Sequence, residues 1–221
     1  MNIILFGGTG EVGQEVAREL INSSFCSSLT MIGRRSLDTL NHPKVTQIIV
    51  DPGSADFENS VAKIAKGHDA GICCIGIGSG TYKLTEEQMA EVEVGMTGKF
   101  ARGCKAAGIE IFELLTAVGI NESTANSRLK YTRVIGKKYK IVLDTGFKKL
   151  AVFKPGMIVG NKHTPKWMTF FTAIIPDFLG WGNIHKKEIA RAFVAHLEKK
   201  ATEQTETVVS YENKDMKQLI F

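Results

Sequence analysis

The sequence predicts an α/β fold: a doubly wound, mostly parallel sheet with helices on both faces and a small C-terminal substrate or lid region. Three observations support this. Short continuous apolar runs, beginning with Ile3-Ile4-Leu5-Phe6, have the character of strands buried on both faces. Helical patterns alternate with them, as in the stripe Val12, Val16, Ala17, Leu20 and Ile21. Between the first strand and that helix lies a glycine-rich turn, Gly7-Gly8-Thr9-Gly10-Glu11-Val12-Gly13.

The glycines of this turn read as Gly7-x-x-Gly10-x-x-Gly13 or equally as Gly8-x-Gly10-x-x-Gly13. In such a turn the first glycine permits the tight bend. The middle one lets a pyrophosphate approach the backbone, and the last lets the helix pack close to the strand. Free N–H groups at the helix N-terminus then face the phosphates, helped by the helix dipole. An ordinary glycine-rich turn is the alternative. A second strand is expected over Ser28–Ile32, ending in Gly33-Arg34-Arg35. In a doubly wound sheet this strand end lies beside the adenosine ribose, so Arg34 and Arg35 suit a 2′-phosphate and favour NADP. Two solvated loop arginines are the alternative. Val45–Val50 reads as the third strand, and Asp51 behind it either meets the adenine amino group or starts the Asp51-Pro52-Gly53 turn. Phe57–Lys66 reads as a helix and Ala70–Ile75 as the fourth strand, after which Gly76, Gly78 and Gly80 let the backbone lie against a cofactor.

Thr85–Ala107 reads as a long helix with Thr85 as N-cap and Glu86 and Glu87 in its first turn. Gly95 and Gly98 inside it are read as points of close packing on the sheet. Ile109–Leu115, the fifth strand, places Thr116-Ala117 at its carboxyl end, where ligand-facing residues belong. A polar loop over 118–130 leads to a helix over Tyr131–Leu143, with Tyr131, Ile135 and Lys138 on one side and Gly146 as its stop. Ala151–Phe153 is the sixth strand. Residues 165–181 hold Trp167, Phe170, Phe171, Ile174, Phe178 and Trp181. Such a segment suits a lid over a substrate pocket, a homodimer or protein-partner face, a membrane-surface contact or a helix packed on the core. Lys186–Lys200 reads as an amphipathic helix and Thr207–Tyr211 as a last strand. Residues 1–221 form one predicted domain, with 157–185 as a lid or interaction segment.

Composition narrows the function classes. Hydrophobic residues make up 43% and charged residues 23%, as in an ordinary globular domain. The net charge of +5 is spread thinly, with no basic block interleaved with aromatics that would suit nucleic acid. No apolar run is long enough to span a bilayer. The four cysteines, Cys26, Cys73, Cys74 and Cys104, show no C-x-x-C spacing and read as small buried apolar residues. With no leader pattern at the N-terminus, a cytoplasmic location is expected. His42, His68, His163, His185 and His196 show no metal-ligand spacing and read as surface or capping residues, so no metal is expected.

Four motifs, Gly7-Gly-Thr-Gly-Glu-Val-Gly13, Thr30-Met-Ile-Gly-Arg-Arg35, Gly67-His-Asp-Ala-Gly-Ile-Cys-Cys-Ile-Gly76 and Phe153-Lys-Pro-Gly156, resemble the atypical short-chain dehydrogenase/reductases. More narrowly they resemble the Tat-interacting-protein oxidoreductase-like branch. The resemblance implies a Rossmann-like fold that binds NADP(H). It places Gly7, Thr9, Gly10, Glu11 and Val12 at the pyrophosphate and Arg34 and Arg35 at the 2′-phosphate. It also places Ile75 and Gly76 along the cofactor, Tyr131 at the nicotinamide ribose, and Pro155 and Ile158 near the nicotinamide. In that family a serine and a Tyr-x-x-x-Lys pair do the chemistry: the lysine lowers the tyrosine pKa, and the tyrosine protonates the carbonyl oxygen as hydride arrives. Here Thr116-Ala117 stands at the serine position and Ile135 at the lysine position. Lys138, roughly 10 Å along the axis from Tyr131, would need its full length to substitute. Tyr131 and Thr116 are therefore weakened catalytic candidates. The expected function is an NADP(H)-binding protein that weakly reduces a small carbonyl compound, or one that reads NADP(H) occupancy without chemistry.

Overall fold

The computed structural model describes residues 1–78, 83–160, 182–201 and 203–220. The order of the main sheet follows from buried apolar strands joined by helices, each crossover returning the chain to lie parallel to a neighbouring strand. The strands are β1 (Asn2–Phe6), β2 (Ser28–Gly33), β3 (Val45–Ile49), β4 (Ala70–Cys73), β5 (Ile111–Leu115), β6 (Lys149–Phe153) and, near the C-terminus, Val208–Tyr211. Two further strands, β7 (Met157–Val159) and β8 (Asn183–His185), pair with each other and, among the described residues, with no other strand, so Val208–Tyr211 is β9. The seven-stranded sheet runs β3-β2-β1-β4-β5-β6-β9, and every pairing in it is parallel. This is the doubly wound Rossmann-like order, with the chain reversing direction across the sheet between β1 and β4.

Alternation along the strands builds two cores. Ile3 and Leu5 enter one, with Val16 and Leu20 of α1 (Glu11–Asn22). Ile4 and Phe6 enter the other, with Phe57 and Val61 of α2 (Phe57–Ile64). The second core is completed by Phe100 and Cys104 of α4 (Thr97–Ala106) and by Ile135 and Val142 of α5 (Lys130–Leu143). The first is completed by Ile189 and Phe193 of α6 (Lys186–Ala195) and Met216 of α7 (Asn213–Leu219). All four cysteines are free and buried, matching the sequence reading.

The long helix before β5 is not uniform. It begins as α3 (Glu86–Ala90), passes through π-helical turns over Glu91–Met96 and continues as α4. Thr85 caps it in a full capping box: its hydroxyl accepts from the Gln88 N–H, and the Gln88 side chain accepts from the Thr85 N–H at 3.0 Å. Removing that cap in Thr85→Ala is expected to cost about 1 kcal/mol, read as a lower urea midpoint with an unchanged slope.

Several expectations need correction. A Cβ on Gly98 would lie 2.6 Å from the Ile141 side chain, so its close packing is against α5 and not the sheet. At Gly95 a Cβ would make only an ordinary contact, so no close approach explains it. The 118–130 loop contains a 3₁₀ turn, Glu122–Asn126, that packs on α5. His42 and His185 do cap turns, accepting from Lys44 and Lys187 N–H groups, but His68 is half-buried and hydrogen-bonded to Thr30. His196, read as surface or capping, is fully buried against Glu113 of β5 at 2.7 Å. His163, Gly80 and the aromatic stretch 165–181 lie outside the described residues, as does most of the segment 157–185.

Candidate functional site

The site lies at the carboxyl end of the strands, where β1 turns into α1. Gly7 has φ +90°, a backbone region that favours glycine, and its carbonyl accepts from the Gly10 N–H at 3.0 Å. A Cβ at Gly7 would stand 2.5 Å from the Ile75 nitrogen, so the turn presses directly on the chain leaving β4. Gly13 brings α1 against the turn: a Cβ there would lie 2.8 Å from the Gly7 carbonyl carbon and 2.9 Å from the Gly8 Cα. Gly10, at the N-cap of α1, is exposed and makes no side-chain cap hydrogen bond. The first intrahelical bond runs from Gln14 N–H to the Gly10 carbonyl at 2.9 Å, so the amides of Glu11, Val12 and Gly13 precede the helical ladder. Uncapped amides behind a turn packed this closely fit a diphosphate.

The other predicted residues take up varied environments. The Glu11 carboxylate is held by Lys186 at 2.6 Å, so its negative charge is balanced across α1 and α6. The Thr9 carbonyl accepts from the Gln14 side chain at 3.0 Å, and the Val12 side chain is buried in the core. Arg34 and Arg35 are exposed just beyond β2. Asp51 is exposed and its Oδ1 accepts from the Gly53 N–H at 3.0 Å, which is the turn-starting alternative. Ile75 and Gly76 follow β4 beside the turn, with Gly76 exposed. Pro155 is buried after β6, its carbonyl accepting from the Val118 N–H at 2.9 Å, and Ile158 of β7 packs on the first core.

The catalytic candidates are not assembled for proton transfer. The Thr116 hydroxyl donates to the Phe153 carbonyl at 3.2 Å, and among the described residues no hydrogen bond joins it to Tyr131. Tyr131 is 46% exposed at the start of α5. Partial burial and the Glu93 carboxylate hold its phenol above the usual tyrosine range, with Lys138 pulling the other way. Ile135, at the lysine position, packs into the second core. Lys138 is 2% exposed and pairs with Glu93 at 3.0 Å. Burial pulls its pKa down, but the Glu93 carboxylate, with smaller help from Cys73, more than offsets that and keeps it raised.

Sequence reasoning missed Glu93, Glu113 and the Lys186–Glu11 pair. The signal for Glu93 was present: it falls on the apolar stripe Met89, Glu93, Phe100, Cys104, where a carboxylate must find a partner.

Comparison with known proteins gives the family and the fold. A family model described as NAD(P)H-binding matches residues 7–145. Protein HTATIP2 of Rattus norvegicus is 29% identical over 182 residues, covering 80% of this chain and 72% of that protein. The mitochondrial protein FMP52-1 of Scheffersomyces stipitis is 25% identical over 166 residues, covering 75% of this chain and 71% of its own. Its name and those of other fungal relatives carry a mitochondrial location, so they lend no support to the cytoplasmic expectation. The Bordetella bronchiseptica enzyme WbmH in complex with NAD+ superposes with a TM-score of 0.69 at 13% identity, covering 96% of this chain and 75% of that one, a likeness of fold. Among the described residues no helix is long and apolar enough to cross a membrane. With its Gly7–Gly13 cradle inside the matched region, this chain belongs to the NAD(P)H-binding family, as an HTATIP2-like atypical short-chain dehydrogenase/reductase.

Proposed function

We propose that the chain binds NADP(H) and is at most a weak reductase of a small carbonyl compound. The observation that carries the reading is the uncapped N-terminus of α1 behind the Gly7–Gly13 turn. In this reading Gly7, Thr9, Gly10, Glu11 and Val12 line the pyrophosphate through their backbone, and Arg34 and Arg35 take the 2′-phosphate as charge-assisted donors. Asp51, whose Oδ1 is taken up by its turn, borders the adenine through its other carboxylate oxygen. Ile75 and Gly76 run along the cofactor, Tyr131 meets the nicotinamide ribose, and Pro155 and Ile158 flank the nicotinamide. The cofactor's chemistry is hydride delivery to a carbonyl carbon. In this reading Tyr131 gives the proton, its raised pKa keeping the rate low, and Thr116 orients a carbonyl only by releasing its bond to Phe153.

A second reading, a non-catalytic protein that senses NADP(H) and passes its occupancy to a partner or a second copy through 165–181, is favoured by one observation. The only buried lysine on the inner side of α5 among the described residues, Lys138, is committed to Glu93, and Ile135 supplies no charge beside Tyr131. NADPH consumption over a panel of aldehydes, ketones and quinones separates the readings: a rate that falls in Tyr131→Phe supports reduction, and no rate in either chain supports sensing. For the cofactor itself, Arg34→Ala/Arg35→Ala is expected to lower NADPH affinity about 10- to 100-fold and leave NADH unchanged. Equal NADPH affinities by fluorescence titration would remove the 2′-phosphate assignment.

A further inference from the structure

The segment that leaves β4 is held from beneath by two charged side chains that no other part of the site uses. The Lys138 ammonium donates to the Ile75 carbonyl at 2.6 Å and to Glu93 Oε2 at 3.0 Å. The other Glu93 oxygen, Oε1, accepts from the Ile77 N–H at 2.9 Å. The three bonds close a ring around Ile75-Gly76-Ile77, with both carboxylate oxygens engaged and both side chains almost fully buried. Gly76 sits at the top of the ring: a Cβ there would stand 3.6 Å from Glu93 Oε1, and the residue itself is exposed. The π-helical turns over Glu91–Met96 contain Glu93. Such turns insert a residue into a helix and re-aim the side chains that follow, and they recur at functional sites. A buried ion pair is weak support for stability, because desolvation offsets its attraction, so its retention calls for another role.

We propose that Glu93 and Lys138 are positioning residues for the cofactor, clamping the Ile75–Ile77 backbone so that Gly76 presents an open main-chain surface for NADP(H) to lie against. The pair stands in for a lysine at position 135 by a different route: it acts through the loop, one helical turn lower, and not on the ribose hydroxyls. This deepens the NADP(H)-binding reading and rests on it.

The groups that face Tyr131 and the pair are Glu93 from the π-helical turns, Lys138 from α5 and the Cys73 thiol from β4. That arrangement supplies a readout that loosened packing alone would not give. Full-length Glu93→Gln, Lys138→Met and the Glu93→Gln/Lys138→Met double variant are compared with the native chain. NADPH affinity is measured by fluorescence, and the Tyr131 phenol is titrated by ultraviolet difference against the matching Tyr131→Phe chain. Each variant is expected to bind NADPH at least tenfold more weakly. The phenol is expected to titrate lower in Glu93→Gln, where the ammonium is unneutralised, higher in Lys138→Met, and near its native position in the double variant. Where a single variant fails to fold, the double variant, which leaves no unpaired charge, carries the test. A folded double variant that binds NADPH within twofold of native, or single variants whose phenols move in the same direction, would overturn the proposal alone. A native chain that binds neither NADPH nor NADH would overturn the reading beneath it as well.

Discussion

His196→Leu is expected to lower the stability of this protein by about 3 kcal/mol at pH 8, which for a chain of this size is roughly 6–12 °C in Tm. His196 and Glu113 are both fully buried and meet at 2.7 Å between Nδ1 and Oε1. Glu113 Oε2 and His196 Nε2 have no hydrogen-bond partner among the described residues, so the single bond between the two side chains is what compensates both. The rings of Phe153 and Tyr211 pack against the imidazole. Burial pushes the Glu113 carboxyl up to about 7, with His196 pulling it partly back. The sign of the pH effect follows. Between the ordinary carboxylate pKa, about 4.3, and 7, the folded chain holds a proton at Glu113 that the unfolded chain has released. The contribution of this group is therefore fully present below the ordinary value and is lost as pH rises through 7, on the order of 3 kcal/mol in all. Glu113→Gln removes the titration, so its stability should be flatter than that of native protein between pH 4.5 and 7. Urea melts at pH 5 and pH 8 check both statements. A His196→Leu chain as stable as native at pH 8 would show that the pair is not coupled to the fold.

Gly13→Ala is expected to lower NADPH affinity at least 100-fold, about 3 kcal/mol, while the chain stays folded at low temperature. The added methyl meets the Gly7 carbonyl and the Gly8 Cα, which are backbone and cannot swing aside as a side chain would. α1 must back away from the turn, and its uncapped amides move with it. A shift of that kind also costs the packing of Val16 and Leu20 on β1, in the range of about 1–3 kcal/mol typical of overpacking. Gly95→Ala is the control, because its methyl makes only an ordinary contact at 3.7 Å. Fluorescence titration with NADPH reads the difference, and native affinity in Gly13→Ala would remove the turn from the binding site.

Much of this architecture was legible because local and global preferences agree. Ile3 to Phe6 read as a strand buried on both faces, and the spacing of Tyr131, Ile135 and Lys138 marks a helix over Tyr131–Leu143 that the structure starts one residue earlier, at Lys130. What escaped was set by partners distant in sequence. β7 and β8 are three residues each and exist through pairing across the stretch between them. α7 was missed because its sequence, Asn213 to Leu219, is largely polar and its cap is Glu212. The buried charges were missed for the same reason. Lys138 on its stripe looks like an ordinary helix lysine until Glu93 is brought beside it from another helix, and Glu113 in the middle of β5 looks misplaced until His196 covers it.

The contact between Gly7 and the Cys74–Ile75 peptide has a bearing on how the protein is made. β1 is made before both of its neighbours, with β2 on one side and β4, some 65 residues later, on the other. The nascent phosphate turn therefore has only one wall until β4 has emerged and docked. Ligand affinity should be absent from nascent chains that end before β4 and first appear in chains long enough for that second wall to dock.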